Sequence, residues 1–103
     1  MCGFIVHYKL NNNFKLDQKN FIKASKEIQH RGPDDMHSFV YKNINMIFYR
    51  LSIIDQSKNG RQPMTSHSGR YVIAFNGEIY NAEDLKIKIN NISKLKGSSD
   101  TEI

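Results

Sequence analysis

Cys2 directly follows the initiator Met1 and is the chain's single cysteine. With Met1 removed, one residue would carry a thiol nucleophile and, a few bonds away, a free α-amine able to act as its base. A free α-amine titrates at about 7.7–8.0 and a free thiol at about 8.5, close enough for easy proton transfer to and from the reactive thiolate. The alternative is an incidental small hydrophobe buried in the core. Other segments must decide between the two.

Arg50 stands in the apolar stretch Tyr49-Arg50-Leu51-Ser52-Ile53-Ile54-Asp55. Burying a guanidinium is costly without an anionic partner, and arginine holds a carboxylate through a two-pronged fork. An arginine at a strand edge, with its stem packed and its head in water, would read the same. In Phe75-Asn76-Gly77-Glu78-Ile79-Tyr80-Asn81 the Asn-Gly pair is either a turn or a donor pair. As donors, the Asn76 amide and the Gly77 N–H would face a developing oxyanion, with glycine allowing close backbone approach. Asp100, in Gly97-Ser98-Ser99-Asp100-Thr101-Glu102, is a helix-start residue, an anion for a ligand's ammonium group, or both. His30-Arg31-Gly32-Pro33-Asp34-Asp35 reads as structural, since nothing pairs His30 with a nucleophile. His7, His30, His37 and His67 show no metal-ligand spacing, so no metal is expected.

The elements that must position these groups can be read from the pattern. Residues 3–10 predict a strand and Asn11-Asn12-Asn13 a turn. Asp17 predicts the N-cap of an amphipathic helix with Phe21, Ile22, Ser25 and Ile28 on its apolar stripe, ended by Gly32-Pro33. Residues 36–42 and 44–54 predict two strands joined at Lys42-Asn43, the second central and buried. Residues 55–69 read as loop, 70–76 as a strand, and 82–90 as a helix capped by Asn81. Ser99-x-x-Glu102 has capping-box spacing, and a helix start with no helix behind it predicts that the 103 residues are part of a longer domain.

The bulk composition fits one domain at most, with 39% hydrophobic and 24% charged residues. No apolar run approaches the roughly 20 residues of a membrane span. Lys9 and His7 follow the short apolar start at once, unlike a secretory leader, and the lone cysteine excludes an internal disulfide. A reducing, cytoplasmic setting is expected, with no membrane partner. The net charge of +5 permits a basic module that docks on nucleic acid, but the lysines are scattered and not interleaved with aromatics, so no nucleic-acid partner is expected.

Taken together, Met1-Cys2-Gly3, His30-Arg31-Gly32-Pro33-Asp34, Arg50-Leu51-Ser52-Ile53-Ile54-Asp55, Gln62-Pro63-Met64, Asn76-Gly77-Glu78-Ile79-Tyr80-Asn81 and Ser99-Asp100-Thr101-Glu102 carry a resemblance. In order and spacing they resemble the class II, N-terminal-nucleophile glutamine amidotransferase domain, in the wording of its glutamine-hydrolysing asparagine synthetase branch. The resemblance implies an α+β fold, the αββα sandwich of N-terminal-nucleophile hydrolases, present here over residues 1–103 as the N-terminal part of the domain and incomplete. It implies Cys2 as nucleophile, Asn76 and Gly77 as oxyanion donors, and Arg50 on the α-carboxylate of L-glutamine. Asp100, with Glu78 nearby, would take the α-ammonium, and Leu51, Ser52, Ile53 and Ile54 would line the pocket. Glutamine would yield glutamate and ammonia, with the ammonia passed to an absent synthetase domain, in cis or in trans, for ATP-dependent amidation of aspartate. No cofactor is implied for this portion; ATP and magnesium belong to the synthetase domain, and a homodimer is compatible with the full-length enzyme. A truncated, inactive member of the family is the alternative reading.

Overall fold

The apolar run Ile44–Arg50 forms strand β3 and lies at the centre of a three-stranded antiparallel sheet, as its composition predicts. Strand β1, Gly3–Tyr8, pairs with it on one side, Gly3 opposite Tyr49; strand β2, Asp35–Tyr41, pairs on the other, Asp35 opposite Arg50. The structure, a computed structural model, describes residues 1–11, 13, 15–89 and 95–103. Asn12 of the expected triple-Asn turn lies outside the described residues. The β2–β3 turn uses Lys42, whose φ of 47° is left-handed.

Helix α1, Gln18–Lys26, starts as expected: the Asp17 carboxylate accepts the Asn20 N–H at 3.1 Å. The α-helix ends at Lys26, earlier than Gly32-Pro33 suggests, and a 3₁₀ turn, Gln29–Arg31, carries the chain to that glycine. Phe21 meets Ile47 and Tyr49, with Ile5, Leu16 and Ile28 against them. Ser25 is fully buried because its hydroxyl bonds the Ile22 carbonyl (2.8 Å) and the Tyr49 hydroxyl (3.1 Å). Alternation along β1 places Ile5 toward this core and Phe4, Val6 and Tyr8 on the opposite, exposed face, where Phe4 stacks on Phe48 at 6.1 Å.

Three expectations are corrected at their edges. The strand expected over 44–54 stops at Arg50, because the next N–H groups leave the ladder: Leu51 N donates to the Cys2 sulfur and Ser52 N to the Asp34 carboxylate. The loop expected over 55–69 contains a 3₁₀ turn, Lys58–Gly60, and strand β4, Met64–Thr65. The strand expected over 70–76 contracts to β5, Val72–Ile73, since β4 gives it only two residues to pair with. Helix α2, Ala82–Lys88, follows Asn81, whose side chain makes no capping bond; acidic Glu83 and Asp84 in its first turn and basic Lys86 and Lys88 in its last suit the helix dipole instead. The helix expected over 82–90 stops at Lys88, because Ile89 takes an extended backbone as its C-cap, and residue 90 lies outside the described residues. Among the described residues no helix is long and apolar enough to cross a membrane. The architecture is α+β, with antiparallel sheets and two α-helices among the described residues.

Candidate functional site

The start of β1 and the end of β3 are neighbours, so the pairing of Gly3 with Tyr49 sets Cys2 beside Leu51. The half-buried thiol is seated on the backbone of one residue: Sγ accepts the Leu51 N–H at 3.3 Å and donates to the Leu51 carbonyl at 3.6 Å. The segment His30–Asp34 fixes both partners. Arg31 Nε donates to the Cys2 carbonyl (3.1 Å), Asp34 Oδ2 accepts the Ser52 N–H (2.7 Å), and Asp34 N donates to the Arg50 carbonyl (3.0 Å). Gly32 is required between them, because any Cβ there would collide with the Tyr49 and Arg50 backbone. This segment therefore positions the site without lining it, which agrees with the structural reading of His30.

A cavity of about 320 Å³ opens at this junction. Cys2, Arg50, Leu51, Ile53, Ile54, Asn76, Gly77, Glu78 and Asp100 all line it, so nine of the ten residues singled out from sequence converge. Ser52 is the exception: it does not line the cavity, since its backbone is drawn to Asp34. Met1 lines the cavity as well and is itself largely exposed.

Arg50 is buried, 7% exposed, yet among the described residues no carboxylate forms an ion pair with it. Its Nη1 donates to the Ser57 carbonyl at 2.7 Å, and Gly60 lies so close to Nη2 that a Cβ there would force the guanidinium to shift. The strand-edge reading of Arg50 therefore fails: the head is enclosed beside the cavity, with donors left for an anion. Asp55, also buried, receives the Ser57 N–H (2.7 Å) and the Ser98 N–H (2.8 Å). Hydrogen bonding from the Ser57 side chain first, then from the Ser98 backbone, with the Arg50 charge adding to them, holds its carboxyl below the usual aspartate range against the opposing effect of burial.

Asn76 and Gly77 are exposed and lie in irregular chain beyond β5, not at a strand end. Gly77 folds over the Phe75 ring, where a Cβ would stand 2.5 Å from the ring edge, so only glycine allows this path. Asp100 is 9% exposed, and its Oδ2 accepts the Ile79 N–H at 2.8 Å, leaving Oδ1 without a donor among the described residues. The capping box is realised differently from the expectation. Ser99 Oγ accepts from Thr101 N (3.2 Å) in a 3₁₀ turn, Asp100–Glu102, and the Glu102 carboxylate accepts from Lys96 N (2.6 Å) and Gly97 N (2.8 Å).

Among the lining residues not singled out as site residues from sequence are two buried polar ones that stand inside the quoted motifs, Asp55 and Gln62. Their isolation as buried polar side chains is a three-dimensional property that spacing does not reveal. The charged lining of the cavity comprises the Arg50 guanidinium and the carboxylates of Asp55, Glu78 and Asp100. It can hold a small zwitterion near a thiol.

Residues 1–103 match the family model described as glutamine amidotransferase domain. The chain is 31% identical over 103 residues to asparagine synthetase [glutamine-hydrolyzing] 2 of Oryza sativa subsp. japonica, covering 100% of this chain and 17% of that relative. It is 40% identical over 110 residues to asparagine synthetase [glutamine-hydrolyzing] 1 of Bacillus subtilis, again covering 100% of this chain and 17% of the relative. A second Bacillus subtilis relative, asparagine synthetase [glutamine-hydrolyzing] 2, is 41% identical over 76 residues, covering 74% of this chain and 10% of that protein. The chain thus spans less than a fifth of the length of these relatives.

Proposed function

The chain belongs to the glutamine amidotransferase domain family, and we propose that it is the glutamine-hydrolysing portion of an asparagine synthetase-like enzyme. The observation that carries the reading is the convergence of Cys2, Arg50, Asn76, Gly77 and Asp100 on one cavity large enough for an amino acid.

In this reading Met1 is removed, and the freed α-amine of Cys2 takes the thiol proton as sulfur attacks the side-chain amide carbon of glutamine. Arg50 forks onto the α-carboxylate and Asp100, with Glu78, receives the α-ammonium. The two contacts hold the substrate by both ends, so the amide is delivered to sulfur at reacting distance. The Asn76 amide and Gly77 N–H take the oxygen of the tetrahedral intermediate; losing one such donor typically costs about 10²–10³ in rate. Collapse breaks the C–N bond, the protonated α-amine gives its proton to the leaving nitrogen, and ammonia departs. Water then cleaves the glutamyl thioester, releasing glutamate and regenerating the thiol. The Leu51 backbone serves both forms of sulfur, its N–H to the thiolate and its carbonyl to the thiol.

The exposed apolar face of Phe4, Val6 and Tyr8 supports an N-terminal-nucleophile sandwich, because a second sheet would cover it. Ammonia would be used by a synthetase domain acting on aspartate, in a cytoplasmic setting. ATP and magnesium would be held there; among the described residues no three His, Cys, Asp or Glu side chains are grouped to hold a metal ion.

The test is glutamate release from glutamine by the processed chain, with Cys2→Ala alongside. Hydrolysis that Cys2→Ala abolishes supports the reading. Absence of glutamate release by processed chain with a cooperative melt, or release that survives Cys2→Ala, refutes it.

A further inference from the structure

Gln62 is 7% exposed and makes two hydrogen bonds across the fold. Its Oε1 accepts the Phe75 N–H at 2.6 Å, and its Nε2 donates to Thr101 Oγ1 at 3.1 Å. The amide's orientation is fixed by chemistry, because a backbone N–H can only donate and so must meet the oxygen. Phe75 immediately precedes Asn76, and Thr101 immediately follows Asp100. One planar group therefore ties the segment bearing the proposed oxyanion donors to the turn bearing the proposed ammonium-binding carboxylate.

We infer that Gln62 is a positioning residue for the glutamine site, setting the distance between the oxyanion pair and Asp100. The inference rests on the glutamine-hydrolysing reading above. Only a primary amide supplies an acceptor and a donor at this spacing. A glutamate carboxylate could accept from both Phe75 N and the Thr101 hydroxyl but would bury a charge between the two segments, and an asparagine is one methylene too short to reach both. The Ile79 N–H to Asp100 Oδ2 bond joins the same two segments at a second point, so loss of Gln62 displaces them without unfolding the turn. Displacement matters because the substrate is gripped at both ends: a shift of about 1 Å can cost on the order of 10²-fold in rate.

The test compares two ways of modifying Cys2 in processed wild-type chain and Gln62→Leu. A glutamine-analogue diazoketone needs the zwitterion contacts and the oxyanion pair, whereas iodoacetamide needs only a reachable thiol. The expected result is analogue labelling slowed at least about tenfold in the variant, with iodoacetamide labelling unchanged. Equal slowing of both reagents, or unchanged analogue labelling, overturns the positioning role. Wild-type chain that the analogue fails to label overturns the glutamine reading together with it, whereas labelled wild type with an unaffected variant overturns the Gln62 role alone. If Gln62→Leu lacks a cooperative melt, Thr101→Val carries the same comparison by the same criteria, because it cuts only the second bond.

Discussion

Gly60→Ala tests whether the Arg50 guanidinium is held by crowding. A methyl at position 60 would collide most severely with Arg50 Nη2, and would lie 3.1 Å from Arg50 Cζ and 3.0 Å from the Asp55 Cβ. Carbon atoms rest at about 3.5–4.0 Å, so the two carbon contacts fall short by roughly half to one ångström and Nη2 must move further than that. Arg50 cannot retreat freely, because its Nη1 is bound to the Ser57 carbonyl at 2.7 Å. The Asp55 side cannot yield freely either, since its carboxylate holds the Ser57 and Ser98 N–H groups. The guanidinium must therefore turn away from the position at which it is proposed to meet the substrate carboxylate. A hydrogen bond to a charged group contributes about 1.5–3 kcal/mol. At about 1.4 kcal/mol per decade, its loss raises the glutamine KM roughly 10- to 100-fold. The contact is made equally in ground and transition states, so kcat should stay within about threefold. Steady-state glutamate release over a range of glutamine concentrations measures both constants, and a thermal melt checks that the fold persists. A KM unchanged from wild type in a folded variant would refute the placement of Arg50 on the substrate.

Asp100→Asn keeps an oxygen for the Ile79 N–H, so the turn should persist while the charge is lost. The KM for glutamine should rise roughly 10- to 100-fold, and an analogue lacking the α-ammonium should not distinguish variant from wild type in a competition assay. Acid stability follows from Asp35, whose carboxyl is held below the ordinary value of 3.8 by its hydrogen bond to Arg61. A depressed folded pKa contributes stability that is present above 3.8 and lost as pH falls from there through the lower folded value. Thermal melts over that interval should show a steeper loss for wild type than for Asp35→Asn.

What the sequence made legible is what local chemistry decides. Asp17 announced α1 because its capping bond spans three residues, and β3 was evident because a central strand must be apolar on both faces. The convergence of Cys2, Arg50, Asn76, Gly77 and Asp100 was legible through motif order, with each piece ambiguous by itself. The misses are long-range. Ser52 left the cavity because Asp34 draws its N–H, and the strand expected over 70–76 shrank because its partner is two residues long. Gln62 and Asp55 were overlooked as site supports because their partners, Thr101 and Ser98, lie 39 and 43 positions away. The Ser99–Glu102 spacing was read as a helix start; Ser99 does cap a short 3₁₀ turn, but Glu102 serves Lys96 and Gly97 in place of the Ser99 N–H.

The edge position of β1 sets an order of events during synthesis. The β2–β3 hairpin closes through a tight turn, a local step, whereas β1 must wait for residues as late as Tyr49 to leave the ribosome before it has a strand to join. Through that interval the nascent amino terminus has no sheet to lie on and remains open to an aminopeptidase. Once β1 docks, Arg31 grips the Cys2 carbonyl and the terminus is held in the wall of the cavity. Met1 itself stays largely exposed after docking, so its proposed removal can also take place in the folded chain, and the N-terminal mass of chains stalled at successive lengths would show whether it precedes or follows the docking of β1.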